Sequence, residues 1–387
     1  MRDTDLYRHL LGVEDPWFVS EVQLDVKEQR VDVWIEHPRG LQWPCPECGT
    51  EGTLHDHAEE RVWRHLDSCQ FQTFLHARPP RVVCPEHGVR QVQLPWAEPH
   101  ARFTLLFERF AIEVLRHTTI QAGRMILRIS WDEAWHVMER AVQRGLRRKP
   151  ERMIAQLGVD EKSVGSGQDY VTVVCDLERS TVEEVTEGNS CRSLEIYFEG
   201  LTDKQRQGIE AVAMDMAGGY INAVSGSLPE GREKIVFDRY HIMKLMNEAV
   251  DRVRREEHKR LTDGGSSILT GTKFLWLYAQ ERLPTKHWEQ FSILKTAGLK
   301  TARAWAIKET LRQLWRYKSR AWAEKFWKRW YFWATHSRLA PVKKIAKTLK
   351  THLYGILTYS KHRITNATTE GINSMIETLR KAACGFR

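Results

Sequence analysis

The spacing of apolar and polar positions changes several times along the chain, and each change marks a different kind of element. Val22 to Val26 and Arg30 to Glu36 alternate with a period of two, which predicts a hairpin of half-buried strands. Arg61 to Trp63 and Phe71 to Leu75 also have strand character. Leu94 to Pro99 reads as a linker. From Phe103 to Arg148 the apolar spacing becomes helical, with breaks at His117-Thr118 and Arg128-Ile129-Ser130. Ser130 with Glu133 three residues later predicts a capping box opening the last of three short helices.

From Glu151 the pattern returns to strands. Ile154 to Asp160 and Tyr170 to Asp176 read as strand, turn, strand, with Gly165 and Gly167 in the turn. Ser180 to Thr186 is a third strand and Ser193 to Leu201 a helix. Gly208 to Asp215 is a further strand, and Lys234 to Asp238 leads into a helix at His241. Four apolar runs thus end in an aspartate. Between His241 and Glu370 strand patterning disappears, and eight of the fifteen tryptophans lie there. Trp305, Trp315, Trp322, Phe326, Trp330 and Trp333 recur near helical spacing among arginines and lysines, which predicts an aromatic core stripe whose cationic flank is free for phosphates.

Hydrophobic residues are 42% and charged residues 28% of the 387, a globular balance that excludes wholesale disorder. No apolar run approaches the ~18 residues of a membrane span, and Arg2, Asp3, Asp5 and Arg8 make the opening unlike a secretory signal, so a cytoplasmic protein without membrane contact is expected. Net charge is +9, which favours an anionic partner such as nucleic acid.

The seven cysteines are too scattered for a disulfide framework. Cys45-Pro46-Glu47-Cys48-Gly49 and Cys84-Pro85-Glu86-His87-Gly88 nevertheless repeat one phrase with His in place of the last Cys. A two-residue gap lets both ends of a tight turn face one ion, so Cys45, Cys48, Cys84 and His87 form a closed four-ligand site for structural Zn2+. The strands at Arg61 to Trp63 and Phe71 to Leu75 are expected to form the ribbon that joins the two turns. Cys69, His55, His57 and His65 are further candidate ligands. The three short helices fit a helix-turn-helix, whose last helix carries Arg140, Arg144, Arg147 and Arg148 as candidate DNA contacts.

Carboxylates at strand ends suit divalent-metal phosphoryl chemistry, because Mg2+ takes hard oxygen ligands and leaves positions for water and substrate. Taken singly, each aspartate reads more readily as a turn or cap residue than as a ligand, and only the ensemble changes that.

The motifs taken together resemble a known family. The two knuckles, the helical segment, Val159-Asp160-Glu161-Lys162, Val212 to Met216, Val236-Phe237-Asp238-Arg239-Tyr240-His241 and Thr369-Glu370-Gly371-Ile372-Asn373 resemble, in order and over nearly the whole chain, bacterial insertion-sequence transposases of the Asp-Asp-Glu class, the ISL-three group. The resemblance implies an α+β multidomain protein with a zinc module over 1-100, a helix-turn-helix over 101-150, a ribonuclease H-like core over 151-245, a helical insertion over 246-360 and the final core helix over 361-387. It implies that Asp160, Asp215 and Glu370 hold catalytic Mg2+ or Mn2+. Asp238 is a rival for the second place; otherwise it and His241 support the site. Glu161 and Glu377 are backups. The implied activity is binding of terminal inverted repeats, DNA cleavage and strand transfer by at least a dimer. Family members usually continue beyond Gly385-Phe386-Arg387, so a shortened end is expected. An inactive zinc-containing DNA-binding protein of transposase descent is the alternative, and a nuclease without strand transfer a third reading.

Overall fold

The structure is a computed structural model that describes residues 2–165 and 169–382. Gly167, Cys384 and the closing Gly385 to Arg387 lie outside them. Residues up to Lys149 form one unit and Pro150–Leu379 a second.

The first unit begins with α1 (Asp3–Leu10), followed by β1 (Phe18–Asp25), β2 (Arg30–Glu36), β3 (Gln42–Pro44), β4 (Glu51–His57), β5 (Arg61–Arg64), β6 (Gln72–Ala77), β7 (Pro80–Cys84) and β8 (Gly88–Gln91). β1 and β2 form the antiparallel hairpin that the alternation requires, with Val19, Val31, Val33 and Ile35 turned inward. Two sheets result, ordered β1-β2-β6-β5 and β3-β4-β7-β8. The expected ribbon of β5 and β6 does form, but it completes the first sheet and does not join the Cys-rich turns. The pairing of β4 with β7 joins them instead. Strand character is local, whereas partner choice depends on distant residues, so the sequence signal was silent on this point.

The stretch Leu94 to Pro99 is not a free linker. Leu94 and Ala97 are buried, and Trp96 stands edge-on to Trp17 and Trp63 in the core of the β-sheet region. Three helices follow, α2 (Leu105–His117), α3 (Ile120–Leu127) and α4 (Trp131–Arg147), bounded at the expected breaks. The Ser130 hydroxyl accepts from the Glu133 backbone and the Glu133 carboxylate accepts from the Ser130 backbone, the reciprocal box its spacing predicts.

The second unit contains β9 (Gln156–Ser163), β10 (Tyr170–Asp176), β11 (Thr181–Glu187), α5 (Cys191–Glu199), α6 (Asp203–Gly208), β12 (Ala211–Met214), α7 (Gly218–Ser227), α8 (Gly231–Lys234) and β13 (Ile235–Phe237). Then come only helices: α9 (Arg239–Asp263), α10 (Lys273–Leu277), α11 (Trp288–Thr296), α12 (Lys300–Leu311), α13 (Arg320–His336), α14 (Ala340–Thr351), α15 (Leu353–His362) and α16 (Ala367–Ala382), with short 3-10 turns. The sheet is ordered β11-β10-β9-β12-β13. β10 is antiparallel to both neighbours, while β12 is parallel to β9 and to β13. This is a ribonuclease H-like arrangement, and every residue of β12 and β13 is buried, as parallel strands between helical layers should be.

The helical insertion shares one continuous hydrophobic core with the β9-centred sheet. Trp276, Trp305, Trp327 and Trp330 are buried, and the Trp330 indole donates to the Ile307 carbonyl at 2.9 Å. The Glu257 carboxylate of α9 accepts from the backbone N–H groups of Lys300 and Thr301, capping α12. The aromatic stripe is divided between α12 and α13, because the chain leaves the helix at Tyr317 after a 3-10 turn. Trp305, Phe326 and Trp330 face inward, whereas Trp322 and Trp333 do not. Among the described residues no helix is long and apolar enough to cross a membrane.

Candidate active site and zinc centre

Each Cys-rich phrase ends in a glycine whose backbone is left-handed, Gly49 at φ 75° and Gly88 at φ 69°. Glycine reaches that region without steric cost, so both turns close tightly behind their ligands. The ligand atoms of Cys45, Cys48, Cys84 and His87 all lie within 4.8 Å of one another. Hydrogen bonds with the Thr50 side chain and backbone push the Cys48 thiol down to about 6, toward the thiolate that a metal needs. Three sulfurs and one imidazole fit a tetrahedral Zn2+ and leave no open position. The other candidates have different partners. His65 is buried against the Thr104 hydroxyl at 2.8 Å, His57 meets His37 at 2.9 Å, His55 lies beside Asp56, and Cys69 is exposed.

On α4 the four arginines divide. Arg140 and Arg144 reach back to Glu108 of α2, which is 1% exposed, and Arg144 also meets Glu98 at 3.1 Å. Arg147 and Arg148 are exposed at the helix end.

In the second unit the register of two strands brings two acids together. Gly158 of β9 pairs with Ala213 of β12, so Asp160 and Asp215 each lie two residues beyond one matched pair. Next to them, Asp238 follows β13, and its N–H bonds the Met214 carbonyl at 2.9 Å. Asp238 is the N-cap of α9, accepting from the Tyr240 N–H, and His241 sits in that helix's first turn.

Helix α16 and the turn residue before it supply the remaining groups. Asn366, Glu370, Asn373 and Glu377 recur on one helical face. Asn366 donates to the Val159 carbonyl at 3.0 Å, Asn373 to Oδ2 of Asp160 at 3.0 Å, and Glu377 meets Lys162 at 3.0 Å. The helix approaches so closely that a Cβ at residue 158 would collide with the Thr369 hydroxyl, which explains Gly158. Carboxylate atoms of Asp238 and Glu370 and a ring nitrogen of His241 lie within 4.8 Å of one another.

Burial pushes the Asp160 carboxyl up to about 6, with the charges of Asp215 and Glu370 adding to it and His241 opposing. Burial raises Asp215 too, helped by Glu161, and raises Glu370, helped by Asp238. Among the described residues Asp160 and Asp215 do not join the close group of Asp238, His241 and Glu370, but the three raised carboxyls offer the hard oxygens that Mg2+ or Mn2+ takes, and a divalent cation would relieve their repulsion. A cavity of about 890 Å3 opens beside Asp238 and Glu370, lined also by Tyr240, Tyr278 and Trp315.

Comparison with known proteins gives the same order of parts. The ISL3 transposase family model matches residues 157–387, more than half of the chain. The chain belongs to the ISL3 transposase family. A model described as the zinc finger of the IS204/IS1001/IS1096/IS1165 transposases matches residues 41–87, and the family's helix-turn-helix model matches 92–142. The chain is 28% identical over 349 residues to the transposase of insertion element IS1001 from Bordetella parapertussis, covering 89% of this chain and 85% of that one. It is 25% identical over 417 residues to the transposase of IS1557 from Mycobacterium tuberculosis, covering 100% and 93%.

Within this transposase, sequence reasoning singled out Asp160, Asp215, Asp238, His241 and Glu370 but passed over Asn366, Gly158 and Glu108. The helical spacing of Asn366 and Asn373 with Glu370 was the available signal.

Proposed function

We propose that this transposase recognises the terminal inverted repeats of an insertion sequence and carries out metal-dependent DNA cleavage followed by strand transfer. The observation that carries the reading is the matched position of Asp160 on β9 and Asp215 just past the parallel strand β12, with Glu370 on α16 near enough for its charge to act on Asp160. In this reading Asp160, Asp215 and Glu370 hold two Mg2+ or Mn2+ ions, which when bound make a water or a 3′-hydroxyl more nucleophilic and neutralise phosphate charge. Asn373 fixes one oxygen of Asp160, and the Glu161 N–H fixes the other at 2.9 Å. Asn366 anchors α16 to β9 so that Glu370 keeps its place. Asp238 and His241 support Glu370 and position DNA. In the first unit Zn2+ is structural, Arg147 and Arg148 contact phosphates, and Arg140 and Arg144 set the angle of α4 through Glu108. Pairing two element ends requires at least a dimer on DNA, and the work takes place on chromosomal DNA in the cytoplasm.

The test is to incubate the protein and its Asp160→Asn variant with DNA carrying the inverted repeats that flank its own gene, with Mg2+ or Mn2+, and resolve the products. Cleavage at the repeat ends followed by joining, in the wild type only, supports the reading. Binding without cleavage favours an inactive DNA-binding protein of transposase descent, and cleavage without joining a nuclease. If Asp238→Asn abolishes metal binding while Asp215→Asn is tolerated, the second ligand is Asp238.

A further inference from the structure

Between Arg316 and Lys350 the chain carries eleven lysines and arginines and one acid, Glu324. Glu324 is already engaged by Arg320 at 3.2 Å. Helix α13 lies within this stretch, and its two faces differ. Ala323, Phe326, Trp327, Trp330 and Ala334 form the buried face. Trp322 and Trp333 along the border of that face, and Phe332 beyond it, are 59%, 38% and 64% exposed, interleaved with exposed Lys325, Lys328 and Arg329. The Lys325 ammonium lies 5.1 Å from the Trp322 ring centroid, and the Phe332 ring stacks on His336 at 4.0 Å. Helix α14 packs beside α13 and adds exposed Lys343, Lys344, Lys347 and Lys350.

A solvated helix face has no need of three large rings, and a surface for intact duplex has no need of them either, because paired bases are stacked on one another. Exposed rings set among cations with almost no opposing charge suit a strand whose bases are unpaired. Trp322 and Trp333 are eleven residues apart, about 16 Å along the helix, which gives room for several nucleotides. We propose that the exposed face of α13, flanked by the lysines of α14, binds single-stranded DNA, with bases stacking on Trp322, Phe332 and Trp333 and phosphates held by Lys325, Lys328 and Arg329. The proposal rests on the function above only for the source of that strand, the unpaired nucleotides exposed when an element end is cut.

Binding is measured by fluorescence anisotropy on the full chain, without divalent metal, using a 20-nucleotide oligothymidine and a duplex carrying the inverted repeat. The Trp322→Ala/Phe332→Ala/Trp333→Ala variant should bind the single strand at least tenfold more weakly and the duplex within twofold of wild type. The Lys325→Gln/Lys328→Gln/Arg329→Gln variant should lower the slope of log affinity against log salt on the single strand by about two. Should the triple aromatic variant prove less stable, Phe332→Ala alone carries the same sign. Unchanged single-strand binding in the aromatic variants overturns the proposal, as does an equal loss on both DNAs. Because no cleavage is involved, a protein that fails to cut DNA yet passes this test overturns the catalytic reading alone.

Discussion

The Asn373 amide donates a 3.0 Å hydrogen bond to Oδ2 of Asp160 across 213 residues of chain. A hydrogen bond to a charged group contributes about 1.5–3 kcal/mol. Asn373→Ala should therefore slow cleavage by roughly ten- to hundredfold while leaving binding to the inverted repeats unchanged. Comparing cleavage rates with gel-shift affinities checks this, and equal losses in both would point to a folding defect instead.

The raised carboxyls of Asp160, Asp215 and Glu370 set the pH response of the metal-free protein. A carboxyl whose folded pKa exceeds its unfolded value keeps its proton longer in the native state, so stability falls as pH rises through the window between the two. For Asp160 that window runs from the ordinary 3.8 to about 6, at most about 3 kcal/mol. The transition of the catalytic unit should move to lower temperature from pH 4 to 6.5, and Mg2+ should reverse the trend at pH 7. In Asp160→Asn the slope should be shallower and the response to Mg2+ absent, both readable by calorimetry.

Arg140 and Arg144 share the buried Glu108, whereas Arg147 and Arg148 are exposed. Removing one partner of a buried ion pair costs about 3–5 kcal/mol. Glu108→Gln should thus lower the melting temperature of the first unit. Arg147→Gln with Arg148→Gln should leave that temperature alone and reduce the salt slope of duplex binding by nearly two. A stable Glu108→Gln protein would remove the positioning role.

Metal analysis should return about one zinc per chain, lost in Cys45→Ser with Cys84→Ser. Chelation of wild-type protein should melt the sheet of β3, β4, β7 and β8 while leaving the β9-centred sheet folded, as amide hydrogen exchange would show. A full zinc signal in the double variant would refute the ligand set.

The zinc ligands were legible because a repeated phrase fixes both chemistry and turn geometry within five residues. The aspartates stand out because apolar runs stop at them, and it is family resemblance that sets Asp160 and Asp215 apart as proposed ligands from Asp176, which hydrogen-bonds the Glu178 and Arg179 backbone in a turn. What escaped was set by distant contacts. An arginine row on a helix looks alike whether it faces solvent or a glutamate 32 residues earlier. Gly158 acquires its meaning only when Thr369 is packed against it. The aromatic spacing from Trp305 to Trp333 runs on across a break at Tyr317, since periodicity alone does not register where the backbone leaves the helix.

Helix α16 follows all the strands and the whole insertion in the order of synthesis. A ribosome therefore releases the helix-turn-helix and all four aspartates that end apolar runs long before Asn366, Glu370 and Asn373 emerge. On the proposed function, the nascent polypeptide is able to hold DNA before it is able to cut it. Under the same reading, products of premature termination before Asn366 would compete with chains that carry α16 for the element's ends, a form of self-restraint that arises from the order of translation.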